Sequence, residues 1–211
     1  MKTVILSGGT APSRDLLERE LKDATALICV DSGGNCLKEW GIEPDYLVGD
    51  FDSIRPEAFE YIKGSKCKII EYPKEKDFTD TELALELAMR LDSNSIVFLG
   101  STGTRLDHVI GNLGLLRACV KNGIDAFLKD DHNSIMMTDK PIRLTAEPGT
   151  TFSVQAFSET VENLSLTNAR YPLSGYKLKI GDPLTISNRF LERDVEVDFS
   201  SGLLMIMFSR D

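Results

Sequence analysis

The chain of 211 residues carries 33 acidic and 24 basic side chains, a formal charge of −9, with 42% hydrophobic and 27% charged residues. That length holds one large or two small domains with a real core, and the composition excludes a disordered or fibrous chain. The acidic balance, without a long Lys/Arg run, argues against nucleic acid or an anionic membrane as partner and leaves room for a small anionic substrate screened by a metal ion or a few local cations.

Short apolar runs alternate with amphipathic ones through the first part. Strands are expected at Thr3 to Ser7, Ala26 to Asp31, Tyr46 to Val48, Lys68 to Tyr72, Ser95 to Leu99 and Ala126 to Leu128. Between them, Pro12 opens a helical pattern carrying Leu16, Leu17 and Leu21; Leu37 and Trp40 mark a shorter one; Pro56 opens a third with Phe59 and Ile62 on one face. Thr79-Asp80-Thr81-Glu82 has the form of a capping box, followed by Leu83, Leu87 and Leu91 at helical spacing. Val109, Ile110, Leu113, Leu116 and Val120 trace a last apolar face, stopped by Asn122-Gly123. Such alternation predicts an α/β domain, a mainly parallel, Rossmann-like sheet covered by helices, over residues 1–132.

After about Asp130 the pattern changes to β-rich segments separated by turn signals. Strands are expected at Thr151 to Phe157, Val161 to Leu166, Lys177 to Ile180, Leu184 to Ser187, Val195 to Phe199 and Leu203 to Phe208. Residues 133–211 therefore read as an all-β domain, a small antiparallel sandwich. No apolar run approaches the roughly 18 residues of a membrane span. The opening Met1 to Gly9 lacks the apolar stretch of a secretory signal. The four cysteines (Cys29, Cys36, Cys67, Cys119) form no Cys-x-x-Cys pair, so reduced thiols and a cytoplasmic location are expected.

In open α/β sheets ligands bind beyond the carboxyl ends of the strands. Here those ends read Ser7-Gly8-Gly9-Thr10, Asp31-Ser32-Gly33-Gly34-Asn35, Gly49-Asp50-Phe51-Asp52-Ser53, Lys76-Asp77-Phe78-Thr79-Asp80 and Gly100-Ser101-Thr102-Gly103-Thr104-Arg105-Leu106-Asp107. Glycines let the backbone approach phosphate oxygens, but no Gly-Lys-Ser/Thr follows, so this is not a Walker A loop. Asp50 and Asp52 are two apart, and on extended backbone both carboxylates would point to one side. Paired carboxylates with few nitrogen or thiol ligands nearby suit Mg²⁺ shared with phosphates. His108 and His132 lack zinc-ligand spacing and read as structural or solvated, and no Gly-x-Ser-x-Gly elbow supports acyl transfer. The rim points to Mg²⁺-dependent handling of a polyphosphate.

In this order these segments, with Pro44-Asp45 and Ile186-Ser187-Asn188, resemble the thiamine pyrophosphokinase (thiamine diphosphokinase) family. The resemblance implies an ATP-binding α/β domain joined to a β domain that helps to bind thiamine, in a homodimer whose active sites are shared between chains. It implies transfer of the pyrophosphoryl group of ATP to the hydroxyl of thiamine, with AMP released. Carried over by motif, Asp50, Asp52 and Asp80 are the expected Mg²⁺ cluster and, with Arg105 and Asp107, the expected catalytic set. Gly8, Gly9, Asp31, Gly33, Asn35, Asp77, Gly100, Ser101, Thr102, Gly103 and Arg105 are expected at ATP. Thr79, Asp80, Asp107, Tyr171, Ser187 and Asn188 are expected at thiamine. Ser32 stands where family members read glycine, and Asp182-Pro183 replaces a more usual Gly-containing turn. The alternatives are a Mg²⁺-dependent nucleotide hydrolase and a non-catalytic nucleotide or thiamine sensor.

Overall fold

A computed structural model describes residues 1–210 and divides the chain into two units, Met1–Asp131 and His132 onward. In the first unit the strands β1 (Lys2–Leu6), β2 (Ala26–Val30), β3 (Tyr46–Gly49), β4 (Lys68–Glu71), β5 (Ser95–Leu99) and β6 (Asp125–Lys129) form a parallel sheet in the order β6-β5-β1-β2-β3-β4. Central strands are buried on both faces, which is why β1, β2 and β5 are nearly continuous apolar runs. At the edge, β4 keeps Lys68, Ile69 and Glu71 exposed, and such charges discourage further pairing.

The helices are α1 (Arg14–Leu21), α2 (Gly34–Trp40), α3 (Pro56–Lys63), α4 (Asp80–Arg90) and α5 (Leu106–Lys121). Their ends follow local chemistry. Thr79 caps α4 by accepting the Glu82 N–H at 3.2 Å, as the capping-box pattern predicts. Pro56 is the first residue of α3, where its missing N–H costs nothing. Pro12, by contrast, lies outside α1; Ser13 is the cap and accepts the Leu16 N–H at 3.3 Å. Buried Glu20 of α1 pairs with Lys2 of β1 at 3.1 Å and Lys129 of β6 at 2.8 Å. No helix among the described residues is long and apolar enough to cross a membrane.

The second unit is a sandwich of two antiparallel sheets. One has the order β12 (Asn188–Arg189), β9 (Thr151–Ala156), β14 (Leu204–Ser209), β7 (Asn133–Thr138); the other β11 (Leu173–Lys179), β10 (Thr160–Thr167), β13 (Asp194–Asp198), β8 (Ile142–Thr145). Their inward residues, among them Phe152, Val154, Val161, Leu164, Val195, Val197 and Ile206, make one core. Phe190 stacks edge-on against Phe152 at 5.0 Å between ring centres. Two expectations change here. The sequence reading had no strand at β7 or β8. The expected strand from Leu184 to Ser187 is instead a 3₁₀ turn, Pro183–Thr185, because Asp182 accepts the Leu184 N–H at 3.1 Å and Ser187 has φ 60°.

Candidate functional site

Strand order reverses at β1, which has β2 on one side and β5 on the other, and this is where an open α/β sheet leaves a crevice. The turns after β1 and β5 meet there and interlock. The Gly9 N–H donates to Gly100 O and the Thr10 N–H to Thr102 O, both at 2.7 Å. A Cβ on Gly9 would stand 2.1 Å from Thr102 O and 2.5 Å from Gly100 O, so the turns close this tightly only with glycine at position 9. Above them opens a cavity of about 660 Å³.

Most of the expected ATP residues line it: Gly8, Gly9, Asp31, the run Gly100, Ser101, Thr102 and Gly103, and Arg105. Asp52, Thr79 and Asp80 line it too. The remaining expected residues of this unit do not. Gly33 packs its α-carbon against the backbone of β1, where a Cβ would stand 2.5 Å from Leu6 O. Asn35 accepts the Arg55 N–H at 2.8 Å and so ties α2 to the start of α3. Asp77 is exposed on the loop before α4. Ser32, the departure from the family pattern, sits over Gly8, where an added Cβ would stand 2.1 Å from its Oγ.

The extended backbone expected between Asp50 and Asp52 is not found. Phe51 has φ 61°, so the backbone is not extended there, and the alternation that would aim both carboxylates one way is broken. Asp52 lines the cavity; Asp50 accepts the Asp52 N–H at 3.1 Å and does not line it. Asp31 also lines the cavity, and the charge of Asp50 reaches it. Its Oδ1 accepts the Phe51 N–H at 3.0 Å, and a Cβ on Gly49 would lie 1.8 Å from that oxygen, so glycine at 49 makes room for this carboxylate.

Electrostatics separate the acids. Burial, reinforced by the charges of Asp80 and Asp50, pushes the Asp31 carboxyl up to about 6 against the opposing Phe51 hydrogen bond. The hydrogen bond and charge of Lys74, 2.6 Å away, hold the Asp52 carboxyl below its ordinary value. Lys76 Nζ lies 2.8 Å from Asp80 Oδ1, but not in a hydrogen-bonding direction, so this buried oxygen has an ionic neighbour and no directed donor. Among the described residues no three His, Cys, Asp or Glu side chains are arranged to hold a metal unaided.

The raised Asp31 value carries a sign. Between about pH 4 and 6 the unfolded chain releases this proton while the folded one keeps it, so the group favours the fold at low pH and its contribution is lost as pH rises. Asp31→Asn keeps an acceptor for Phe51, suits the φ of 42° and stays neutral at every pH. The variant should melt at the wild-type temperature near pH 4. It should gain about 1 kcal/mol above pH 6, after allowance for partial exposure. A gain of equal size at both pH values would refute this account.

Arg105 is held by Asp107, which accepts from Nη2 at 2.6 Å and Nε at 3.3 Å; Asp107 itself does not line the cavity. Below the cavity runs a buried hydroxyl chain. Ser101 Oγ donates to Ser7 Oγ at 3.3 Å, Ser7 Oγ shares a 3.0 Å hydrogen bond with Thr81, and Asn112 Nδ2 donates to Ser101 O at 2.9 Å. His108, read from the sequence as structural or solvated, lines the cavity with Val109 and Asn112. The signal was available: His108, Val109 and Asn112 fall at helical spacing on one face of α5, continuing from Arg105 just before it.

In the second unit, Asn188 is buried and spends its amide on backbone. Its Oδ1 accepts the Tyr171 N–H at 3.0 Å and its Nδ2 donates to Tyr171 O at 2.8 Å. With this clamp Tyr171 stays 57% exposed, and the Arg170 guanidinium lies 5.7 Å from its ring centre. Ser187 is exposed, its N–H bonded to Ser153 Oγ at 3.0 Å. Asp182 accepts from the Tyr176 hydroxyl at 2.6 Å, which with the Leu184 N–H holds its carboxyl low.

Both units match family models. Residues 17–128 match the description "Thiamin pyrophosphokinase, catalytic domain", and residues 140–204 match "Thiamin pyrophosphokinase, vitamin B1 binding domain". The thiamine pyrophosphokinase of Bacillus subtilis is 34% identical over 215 residues, covering all of both chains. Its crystal structure superposes with a TM-score of 0.91 at 32% identity, again over the whole of both chains. The thiamin pyrophosphokinase of Geobacillus thermodenitrificans gives a TM-score of 0.87 at 30% identity, covering 100% of this chain and 98% of that one. The chain belongs to the thiamin pyrophosphokinase family.

Proposed function

We propose that the chain is a thiamine diphosphokinase, transferring the pyrophosphoryl group of ATP to the hydroxyl of thiamine to give thiamine diphosphate and AMP. The observation that carries this reading is the order of parts. A catalytic-domain match covers the unit with the acid- and glycine-lined cavity, and a vitamin B1 binding-domain match follows in the same chain.

The cavity residues suit the chemistry. Asp80 offers an oxygen with no directed donor, and Asp52 and Asp31 line the same cavity. A few hard oxygens, short of a complete cage, fit Mg²⁺ bound jointly with phosphates and water. When bound there, Mg²⁺ would neutralise charge on the polyphosphate oxygens. The turns at Gly8–Gly9 and Gly100–Gly103 bring backbone close to the phosphates. Arg105 keeps a second guanidinium edge for them while Asp107 holds the first, and the planar fork suits two oxygens at once. The thiamine hydroxyl must lose a proton as the new P–O bond forms. Asp80 lines the cavity and Asp107 does not, which supports Asp80 as acceptor. Four free thiols, three of them buried, suit the cytoplasm.

One assay tests the reaction. Incubation with ATP, Mg²⁺ and thiamine should yield AMP and thiamine diphosphate in equal amounts. AMP or ADP formed without thiamine would establish a nucleotide hydrolase instead, and no turnover with bound nucleotide a sensor.

The homodimer belongs to the same proposal. Tyr171, Ile180, Leu184 and Ile186 are exposed on the second unit, and a two-fold contact is the common way to cover such residues. We take each active site to combine the acids of one chain with Tyr171 of its partner. Mixing Asp80→Asn with Tyr171→Ala subunits should then raise activity well above either parent, because each mixed dimer regains one site free of both defects. A flat response, with subunit exchange verified, would mean that sites are confined to single chains.

A further inference from the structure

The loop between β4 and α4 delivers two lysines to the acids, and they are not equivalent. Lys74 faces Asp52 with its side chain 75% exposed, an ordinary surface pair. Lys76 is drawn in. Its side chain is 12% exposed against 23% for that of Asp80, and its ammonium donates to Pro73 O at 3.1 Å while standing 2.8 Å from Asp80 Oδ1. Its field also reaches Asp31 and Asp52 and favours the charged form of both. Holding a lysine this way costs side-chain entropy and hydration, offset by relief of repulsion among the carboxylates around it. The contact with Asp80 nevertheless lacks hydrogen-bond direction, so the ammonium blocks the oxygen without saturating it.

We propose that Lys76 is a resident counter-ion that competes with a free divalent cation for Asp80, and that it passes to the polyphosphate when cation and nucleotide arrive together. It is a positioning residue for the transfer proposed above, and the inference rests on that reading. A free cation must displace an ammonium already at contact distance and leave it among the remaining charges without compensation. A cation carried by a nucleotide brings the anionic oxygens that give the ammonium a new partner. The site therefore discriminates against bare cation and favours the metal–nucleotide complex, a selectivity that the carboxylates alone would not provide.

Binding experiments on the full chain separate this role from that of a loop staple. Mn²⁺ serves as the probe, followed by electron paramagnetic resonance without nucleotide, and Mn²⁺-ATP binding is followed by calorimetry. Lys76→Gln and Lys76→Met, the second keeping an aliphatic stem, should bind free Mn²⁺ at least about tenfold tighter than wild type and Mn²⁺-ATP about tenfold weaker. Lys76→Arg should stay close to wild type in both. A staple would loosen both affinities together. Unchanged or weaker free Mn²⁺ binding in the two neutral variants, with wild-type Mn²⁺-ATP binding intact, would overturn the Lys76 inference alone. Absence of Mn²⁺-ATP binding by the wild-type protein would remove the cation reading of the site, and the inference with it. Thermal melts of each variant in chelator establish that it is folded.

Discussion

Asp80→Asn should lower turnover by about 10²-fold or more, equivalent to roughly 3 kcal/mol of lost transition-state stabilisation. The residue opens α4, lines the cavity and presents a buried oxygen that no donor satisfies. Asparagine keeps the size but removes the charge that a cation or a departing proton requires. Lys76 keeps its hydrogen bond to Pro73 O and the charges of Asp31 and Asp52, so the cost to the fold is small by comparison. A first-turn carboxylate is worth about 0.3–1 kcal/mol to a helix, and Glu82 remains in the same turn. Removing one acid from beside Asp31 also relieves repulsion there. Melting within a few degrees of wild type, with AMP release down a hundredfold, is the expected pair of results; normal AMP release would exclude Asp80 from the chemistry.

Gly9→Ala should abolish nucleotide binding, weakening it by about 10²-fold or beyond detection, on the scale of displacing a positioning contact. The added carbon would sit 2.1 Å from Thr102 O and 2.5 Å from Gly100 O, both backbone atoms that no side-chain rotation can move aside. The two turns must part, and the hydrogen bonds from Gly9 to Gly100 and from Thr10 to Thr102 are lost with them. Gly111→Ala is the control. It lies within α5, where an added Cβ meets nothing within 4 Å, and should stabilise the helix by about 0.5–1 kcal/mol. Calorimetric titration with ATP and thermal melts of both variants check the contrast; full nucleotide affinity in Gly9→Ala would show that the interlocked turns do not shape the site.

The first unit was legible because its signals are local and repeat with the period of the element. Continuous apolar runs gave β1, β2 and β5, and the capping box at Thr79 placed the start of α4. The sandwich was legible as a class but less so in detail. β7 consists largely of Asn, Ser, Met and Thr, residues with little joint strand preference. Leu184 to Ser187 alternates as a strand should, yet the Asp182 cap and Pro183 turn the chain first. In the site, strand-end glycines and acids marked the rim at which the cavity opens. The geometry at Asp50 was not legible, because it hangs on one left-handed residue, Phe51, a type that seldom adopts that conformation. Lys76, on the same rim, is not singled out by the sequence, for a different reason. A lysine in a polar loop carries no periodic signal, and its importance comes from burial beside Asp80, which only the fold supplies.

The interlocking of the turns after β1 and β5 also orders events during synthesis and unfolding. β1 is made well before β5, one of its two partners, with Thr3 opposite Ile96 and Leu6 opposite Leu99. A nascent chain emerged only as far as α4 holds Gly8 and Gly9 without Gly100 and Thr102 to receive them. Closing that long loop is costly and is repaid only when β5 docks, so the crevice is a late product of folding. Fraying of β1 from β5 at any later time dismantles the crevice and the middle of the sheet together. A bound nucleotide should therefore protect the amides of both strands from hydrogen exchange as one block, adding about 2.7 kcal/mol at a hundredfold excess over its Kd.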